Sequence, residues 1–398
     1  MIKTIDECFF QIQNGANIKQ GDVDGGFPIT RIETTANDKF NRDRMGYAGI
    51  TDISMYESYV LEDGDLLMSH INSVQYLGRT VLYVKQPDET IIHGMNLLRL
   101  KARRDVINPA YARYCFYGHP FRSQVGNITK KSVNQASFSV KDLKQIKIEV
   151  PSLSEQEQIV DILDKLQKLI EMRNTELSAL DDLIKARFVE MFGEPQINPF
   201  HWDVVNISEV VGGKVSNGFF AKRDDYCDDG NVSILGVANI VNRMYSKVDE
   251  LPKTNANNKD IEKFEVKYGD MLFCRSSLVA EGIGKASIVP EDVHENVLFE
   301  CHVIRLPLNL NKCVPEFMQT LSTMDFFRNQ VVAQSKTATM TTIGQDGILK
   351  TDIILPPIEK QKEFYDFIKQ VDKSKVAVQE ALDETQLLFD SLMQKYFG

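Results

Sequence analysis

Two stretches of this chain carry the apolar period of a long helix. Ile159, Leu163, Leu166, Ile170, Leu177, Leu180, Ile184 and Met191 are spaced by threes, fours or their sum, with Arg173 and Arg187 interrupting the seam. Phe364, Ile368, Val371, Val378, Leu382, Phe389, Leu392 and Tyr396 repeat the pattern, interrupted by Lys375 and Thr385. Each stretch predicts a helix of about 37 residues, on the order of 55 Å at ~1.5 Å per residue. Ser154 and Glu157 form an S-x-x-E capping box at the start of the first; the second lacks one. Elsewhere the pattern is of short apolar runs bounded by Gly, Asp and Asn. DLLMSHI, TVLYV, MLFCR, ASIV, IKIEV and IIL read as strands, and residues 108–124 and 314–332 as helical.

The two long helices open on related text. PSLSEQEQIVDILDKL (151–166) returns 205 positions later as PPIEKQKEFYDFIKQV (356–371). The same offset relates Gly25 and Ile29 to Gly230 and Ile234, Gly64-Asp65 to Gly269-Asp270, and Lys131-Ser132 to Lys336-Thr337. It also relates Pro151 to Pro356 and Gln156 to Gln361. A constant spacing held over so many residues indicates a tandem duplication.

The expected fold is α+β: two similar mixed α/β blocks, residues 1–150 and 199–355, separated by two spacer helices, residues 151–198 and 356–398. A helix this long with one apolar stripe needs a partner, and the other copy is the available one. Chain order makes the pair antiparallel. The first helix delivers the chain to the second block, and the second helix must return. A two-helix coiled coil with a block at each end, related by a pseudo-two-fold axis, is therefore expected.

Composition narrows the class. Hydrophobic residues make up 43% and charged residues 26% of the 398, and no apolar run approaches the roughly 20 residues that span a bilayer. With no basic-then-apolar leader in MIKTIDECFF, a cytoplasmic location and no membrane partner are expected. Cys8, Cys115, Cys227, Cys274, Cys301 and Cys313 form no CxxC pair, which argues against a zinc ribbon or a disulfide framework. The net charge of −10 is uneven, +2 over residues 1–150 and −5 over 199–355. Overall charge will not steer the chain to nucleic acid, although a local basic face is compatible with it.

At this point the residues resemble a family, the specificity subunits of type I restriction-modification systems. The resemblance is carried by PSLSEQ at Pro151, the looser PPIEKQ at Pro356, the GDLL and GDML strands, and the duplicated order of block and helix. It implies that each block is a target-recognition domain reading half of a bipartite, asymmetric site on double-stranded DNA, with the helices as a ruler between them. It also implies that the helices dock two methyltransferase (modification) subunits, joined by a restriction (endonuclease and translocase) subunit. S-adenosylmethionine, ATP and Mg2+ are then expected on those partners, and no cofactor or metal on this chain.

The residues agree that catalysis lies elsewhere. There is no G-x-G-x-x-G and no G-x-x-x-x-G-K-[ST], and the six histidines show no metal-ligand spacing. NPAY (108–111) resembles the NPPY of amino-methyltransferases without its second proline, and reads better as a helix start with Pro109 in the first position. Two other classes stay open: a methyltransferase or nuclease with degenerate signatures, and a coiled-coil adaptor with no DNA role.

Base edges are read by Arg, Lys, Asn, Gln, Ser and Thr, and phosphates are held by cations, hydroxyls and amides. The stretch after GDLL supplies Ser69, His70, Asn72, Ser73, Gln75, Tyr76 and Arg79; its counterpart supplies Arg275, Ser276, Ser277 and Lys285. Arg42, Arg44, Lys222, Arg223 and Arg243 are candidates for phosphates. Lys131 in TKKS and Lys336 in QSKT sit at matching places, where they could contact DNA or pack against the spacer.

Overall fold

The computed structural model describes residues 1–21, 26–132 and 135–398, so Gly25 of the repeat lies outside the described residues. The chain divides into two compact units, Met1–Asn174 with Glu380–Gly398, and Thr175–Gln379. The division falls inside both long helices, Leu153–Phe192 and Ile358–Phe397, each of 40 residues.

In unit 1 the central sheet is four-stranded and antiparallel, in the order Phe9–Asn14, Leu97–Ala102, Leu66–Ser69, Thr80–Leu82. Unit 2 repeats that order with Ser216–Asn217, Val303–Pro307, Asp270–Cys274 and Ala286–Ile288. A two-stranded ribbon closes each block: Ile2–Thr4 with Lys147–Glu149 in unit 1, Asp203–Asn206 with Asp352–Leu355 in unit 2.

The Gly-Asp pair before each central strand has the same task in both units. Gly64 and Gly269 turn the chain at φ +86° and +82°, a region open to glycine without strain. Asp65 then accepts from the Glu62 amide at 2.8 Å, and Asp270 from the Lys267 amide at 2.9 Å. Each carboxylate lies near an arginine of the neighbouring strand, Arg99 at 3.8 Å and Arg305 at 3.9 Å. Those guanidiniums in turn donate to backbone carbonyls, Val60 and Ser58 in one unit, Glu265 and Lys263 in the other. Burial outweighs the nearby positive charge and holds both carboxyls above the usual carboxylate range.

The two stretches expected to be helical are each a pair of helices. Pro109–Tyr117 breaks at Gly118 before His119–Ile128, and Pro315–Thr323 breaks at Met324 before Asp325–Ala333. Asn108 caps the first through a bond from the Ala110 amide, with Pro109 in the first turn. A Cβ on Gly118 would lie 2.4 Å from the Phe397 carbonyl oxygen, so glycine lets the break abut the end of the second long helix.

Within each unit the long helices run antiparallel. In unit 1, Ile159, Val160 and Leu163 from the start of the first share a core with Phe389, Leu392, Tyr396 and Phe397 from the end of the second. In unit 2, Ile184, Phe188 and Phe192 share a core with Phe364, Ile368 and Val371. Phe188, Phe192, Phe317 and Phe364 meet there with ring centroids 5.0 to 5.6 Å apart. Leu166 is buried; Ile170, Leu177, Leu180, Val378 and Leu382, nearer the helix middles, are half-buried. The seam's polar interruptions have partners. Arg173 donates to the Ala381 carbonyl and the Thr385 hydroxyl, and Lys375 pairs with Asp181.

The capping box of the first long helix lies two residues earlier than the sequence indicated. Ser152 Oγ accepts from the Glu155 amide at 3.3 Å, and Glu155 Oε2 accepts from the Ser152 amide at 2.9 Å. Ser154 and Glu157 are exposed on the helix itself. S-x-x-E fits both registers in SLSEQE; helix entry at Leu153 selects the earlier one.

Candidate nucleic-acid interface

The repeated glutamine explains why the helix-opening text appears twice. Gln156 is fully buried, with Oε1 accepting from the Asn108 amide at 2.8 Å and Nε2 donating to the Val106 and Pro151 carbonyls. Gln361, equally buried, accepts from the Val314 amide at 2.9 Å and donates to the Lys312 and Pro356 carbonyls. In each unit one amide side chain fastens the long helix to the start of the block's helix pair.

The candidate stretches meet in a small ribbon that both units possess. In unit 1, Ile71–Asn72 pairs with Ala136–Ser137, which pairs with Lys130–Lys131. In unit 2, Ser276–Ser277 pairs with Thr341–Thr342, which pairs with Lys336–Thr337. The TKKS and QSKT segments therefore lie in the same sheet as the stretches that follow the central strands. Strand register also corrects the repeat. Ala136 faces Lys131 as Thr341 faces Thr337, so Lys336 corresponds to Lys130 rather than to Lys131.

Each ribbon strand leads into a short turn, Val74–Tyr76 in unit 1 and Ala280–Gly282 in unit 2. Beyond it lies a glycine at positive φ, Gly78 at +74° and Gly284 at +63°. Their amides donate to the Ser69 and Cys274 carbonyls, both at 2.8 Å. The repeat offset changes here, since Gly78 and Gly284 are 206 apart, not 205. Unit 2 thus has one more residue in this loop, beside Leu278 and Val279, which are 82% and 58% exposed.

The candidates are not equally placed. Ser73, Gln75 and Tyr76 are exposed in the unit 1 loop, as are Lys131 and Lys336 in the ribbons and Arg44, Lys222, Arg223 and Arg243 elsewhere. Asn72 is half-buried and donates to Ser69 Oγ at 3.3 Å. In unit 2, Ser276 Oγ lies 2.7 Å from His302 Nδ1, Arg275 donates to the Cys301 carbonyl, and Ser277 Oγ accepts from the Val279 amide. Ser69 and His70 point inward. His70 is 6% exposed, edge-on to Phe138, and burial pulls its pKa down to about 4.

Three cations are already engaged. Arg42 forms a two-pronged pair with Glu89 at 2.9 and 2.7 Å and lies over Phe40, and the guanidinium holds the Glu89 carboxyl down at about 2. Arg79 Nε lies 2.8 Å from Asp38 Oδ1, with its guanidinium over the Tyr76 ring. Lys285, at the matching place in unit 2, donates to Asn242 Oδ1 at 2.7 Å. A carboxylate thus offsets the cation in unit 1, and a neutral side-chain amide takes that place in unit 2. Lys130, exposed beside Lys131, was not singled out from sequence; the pairing of its strand with Ala136–Ser137 places it in the ribbon. Among the described residues, no group of three or more His, Cys, Asp or Glu side chains could hold a metal ion.

Known proteins share this arrangement. The family described as "Type I restriction modification DNA specificity domain" matches twice, over residues 3–181 and 199–385. A Methanocaldococcus jannaschii protein assigned as the type I restriction enzyme MjaX specificity subunit is 31% identical over 243 residues, which are 58% of this chain and 56% of that protein. The MjaVIII specificity subunit of the same organism is 23% identical over 71% of this chain and 67% of its own length. The chain thus matches little more than half the length of the first of these relatives. Among solved structures, the S subunit of a type I restriction-modification system from M. genitalium superposes with a TM-score of 0.57 at 12% identity, over 100% of this chain and 96% of that one. A structure describing complex assembly and conformational transition of the type I R-M system gives 0.53 at 15%, over 100% and 97%.

Proposed function

The chain belongs to the type I restriction modification DNA specificity family, whose domain it carries twice, and from that premise we propose that it is the DNA-reading subunit of a restriction-modification complex. Each unit reads one half of a bipartite site on double-stranded DNA, and the paired helices fix the separation of the halves. The observation that carries this reading is the ribbon and loop built alike in both units yet lined differently. Unit 1 offers Asn72, Ser73, Gln75, Tyr76 and Lys130-Lys131. Unit 2 offers Arg275, Ser276, Ser277, the apolar tip Leu278-Val279, and Lys336. Equal scaffolds with unlike linings suit two unlike half-sites.

Methylation and cleavage then belong to partner subunits, which supply S-adenosylmethionine, ATP and Mg2+ chemistry. The exposed apolar positions Ile162, Leu169 and Met172 support docking of methyltransferase subunits on the long helices, because they flank the buried seam of Val160, Leu163 and Leu166 and stay open to a partner. The test is co-expression of the full chain with a type I methyltransferase subunit. Adenine methylation within one gapped sequence is expected from the complex and none from the chain alone. Methylation by the chain alone, or a complex that modifies no gapped sequence, contradicts the reading.

A further inference from the structure

Both candidate loops are gripped from behind by an arginine. In unit 1, Arg122 on His119–Ile128 donates through Nη1 to the Leu77 carbonyl at 2.7 Å and through Nη2 to the Gln75 carbonyl at 3.3 Å. In unit 2, Arg328 on Asp325–Ala333 donates through Nη2 to the Glu281 carbonyl at 3.0 Å. Arg122 and Arg328 are 206 apart, as are Gln75 and Glu281, so the grip follows the shifted register of the loop itself.

The contact is close in both units. A Cβ on Gly78 would lie 3.2 Å from Arg122 Nη1 and 3.4 Å from Val125, and one on Gly284 would lie 2.3 Å from Val331 Cγ1. Glycine there lets the loop settle on the helix that carries the arginine, and the planar guanidinium reaches carbonyls two residues apart with a fixed fork, which the freely rotating ammonium of a lysine does not preset. Neither arginine is among the exposed residues of its unit. A group holding the carbonyls of Gln75 and Leu77 from below governs where Ser73, Gln75 and Tyr76 present themselves above.

We infer that Arg122 and Arg328 are positioning residues for recognition, each setting base preference at the half-site of its own unit by fixing the loop that reads it. The inference rests on the DNA-reading function proposed above. The grip is stronger in unit 1, with two bonds against one, and Arg328 Nη1 is buried without a hydrogen-bond partner.

The test selects a pool of duplexes randomised over 24 base pairs with the full chain, its Arg122→Gln variant and its Arg328→Gln variant, alongside their thermal unfolding. For Arg122→Gln, discrimination among bases is expected to fall on the order of tenfold at one half-site, about the worth of one or two hydrogen bonds. The other half-site stays unchanged, as does the melting midpoint. Arg328→Gln should give the reciprocal pattern, more weakly. Arg122→Lys, which keeps the charge but loses the fork, serves where Arg122→Gln lowers the midpoint, and should relax the same half-site. A bipartite motif from the parent chain that both variants reproduce overturns the inference alone. Equal loss at both half-sites overturns it as well. A parent chain that enriches no bipartite motif overturns the DNA-reading function, and the inference with it.

Discussion

His70 sits inside the block rather than on its surface, and that makes it a source of pH dependence. Its ordinary value of 6.5 falls to about 4 because burial disfavours the charged ring, and His93 falls to about 3 for the same reason. An unfolded chain takes up these protons near 6.5 while the folded unit resists, so the stabilisation is full above that pH and is lost as pH falls toward 4. Unit 2 carries Arg275 at the position of His70. Thermal melts from pH 7.5 to 4.5 should therefore show a steeper loss for the parent chain than for His70→Gln; parallel slopes would refute this.

Gln156 makes a second prediction at this scale. Gln156→Ala leaves the Asn108 amide and the Val106 and Pro151 carbonyls without their buried partner, at about 2 to 3 kcal/mol. Denaturant unfolding should register that loss, and a change under ~0.5 kcal/mol would mean the fastening is dispensable.

The sequence announced Gln156 and Gln361 through their repetition but could not reveal what they hold. It misjudged Ser69 and His70 for a physical reason. The strand Leu66–Ser69 is buried on both faces, so no polar and apolar alternation marks where the inside ends. Arg42 was equally unreadable, since its partner Glu89 lies 47 positions away.

At the level of elements, the long helices were legible because their apolar period outlasts any local ambiguity, and the seam residues at both ends are in the cores. Their starts were not, because a capping box is defined by where the helix begins rather than by its four letters. The break at Met324 was hidden as well, since no proline interrupts 316–332, whereas Pro120 just after Gly118 was a signal the sequence did carry. Two faces of the first long helix should respond differently to substitution. Leu163→Ala, in the unit 1 core, should cost about 3 kcal/mol, whereas Leu169→Ala, 42% exposed, should stay within ~0.5 kcal/mol. Leu169→Arg should leave the melt unchanged yet abolish co-purification with a methyltransferase subunit. Retained co-purification would move the docking surface off these positions.

Across the whole molecule, the duplication is visible in sheet order, buried carboxylates and helix joints, which the constant offset foreshadowed, and in the ribbons, whose register the offset missed by one residue. The units diverge in the loops that follow the central strands. One inserted residue there shifts the offset to 206, and Asp38 against Arg79 gives way to Asn242 against Lys285. A single sequence could not expose that shift, because one residue gained before Gly284 is lost again between the ribbon strands. Two units that share a scaffold and differ in their loops should be exchangeable. The most direct measurement replaces residues 1–150 with the corresponding block of a related specificity subunit in the full chain and selects randomised duplexes again. One half-site should change to that of the donor, with the other half-site and the gap unaltered. An unchanged motif, or a change in both halves at once, would contradict the assignment of one half-site to each unit.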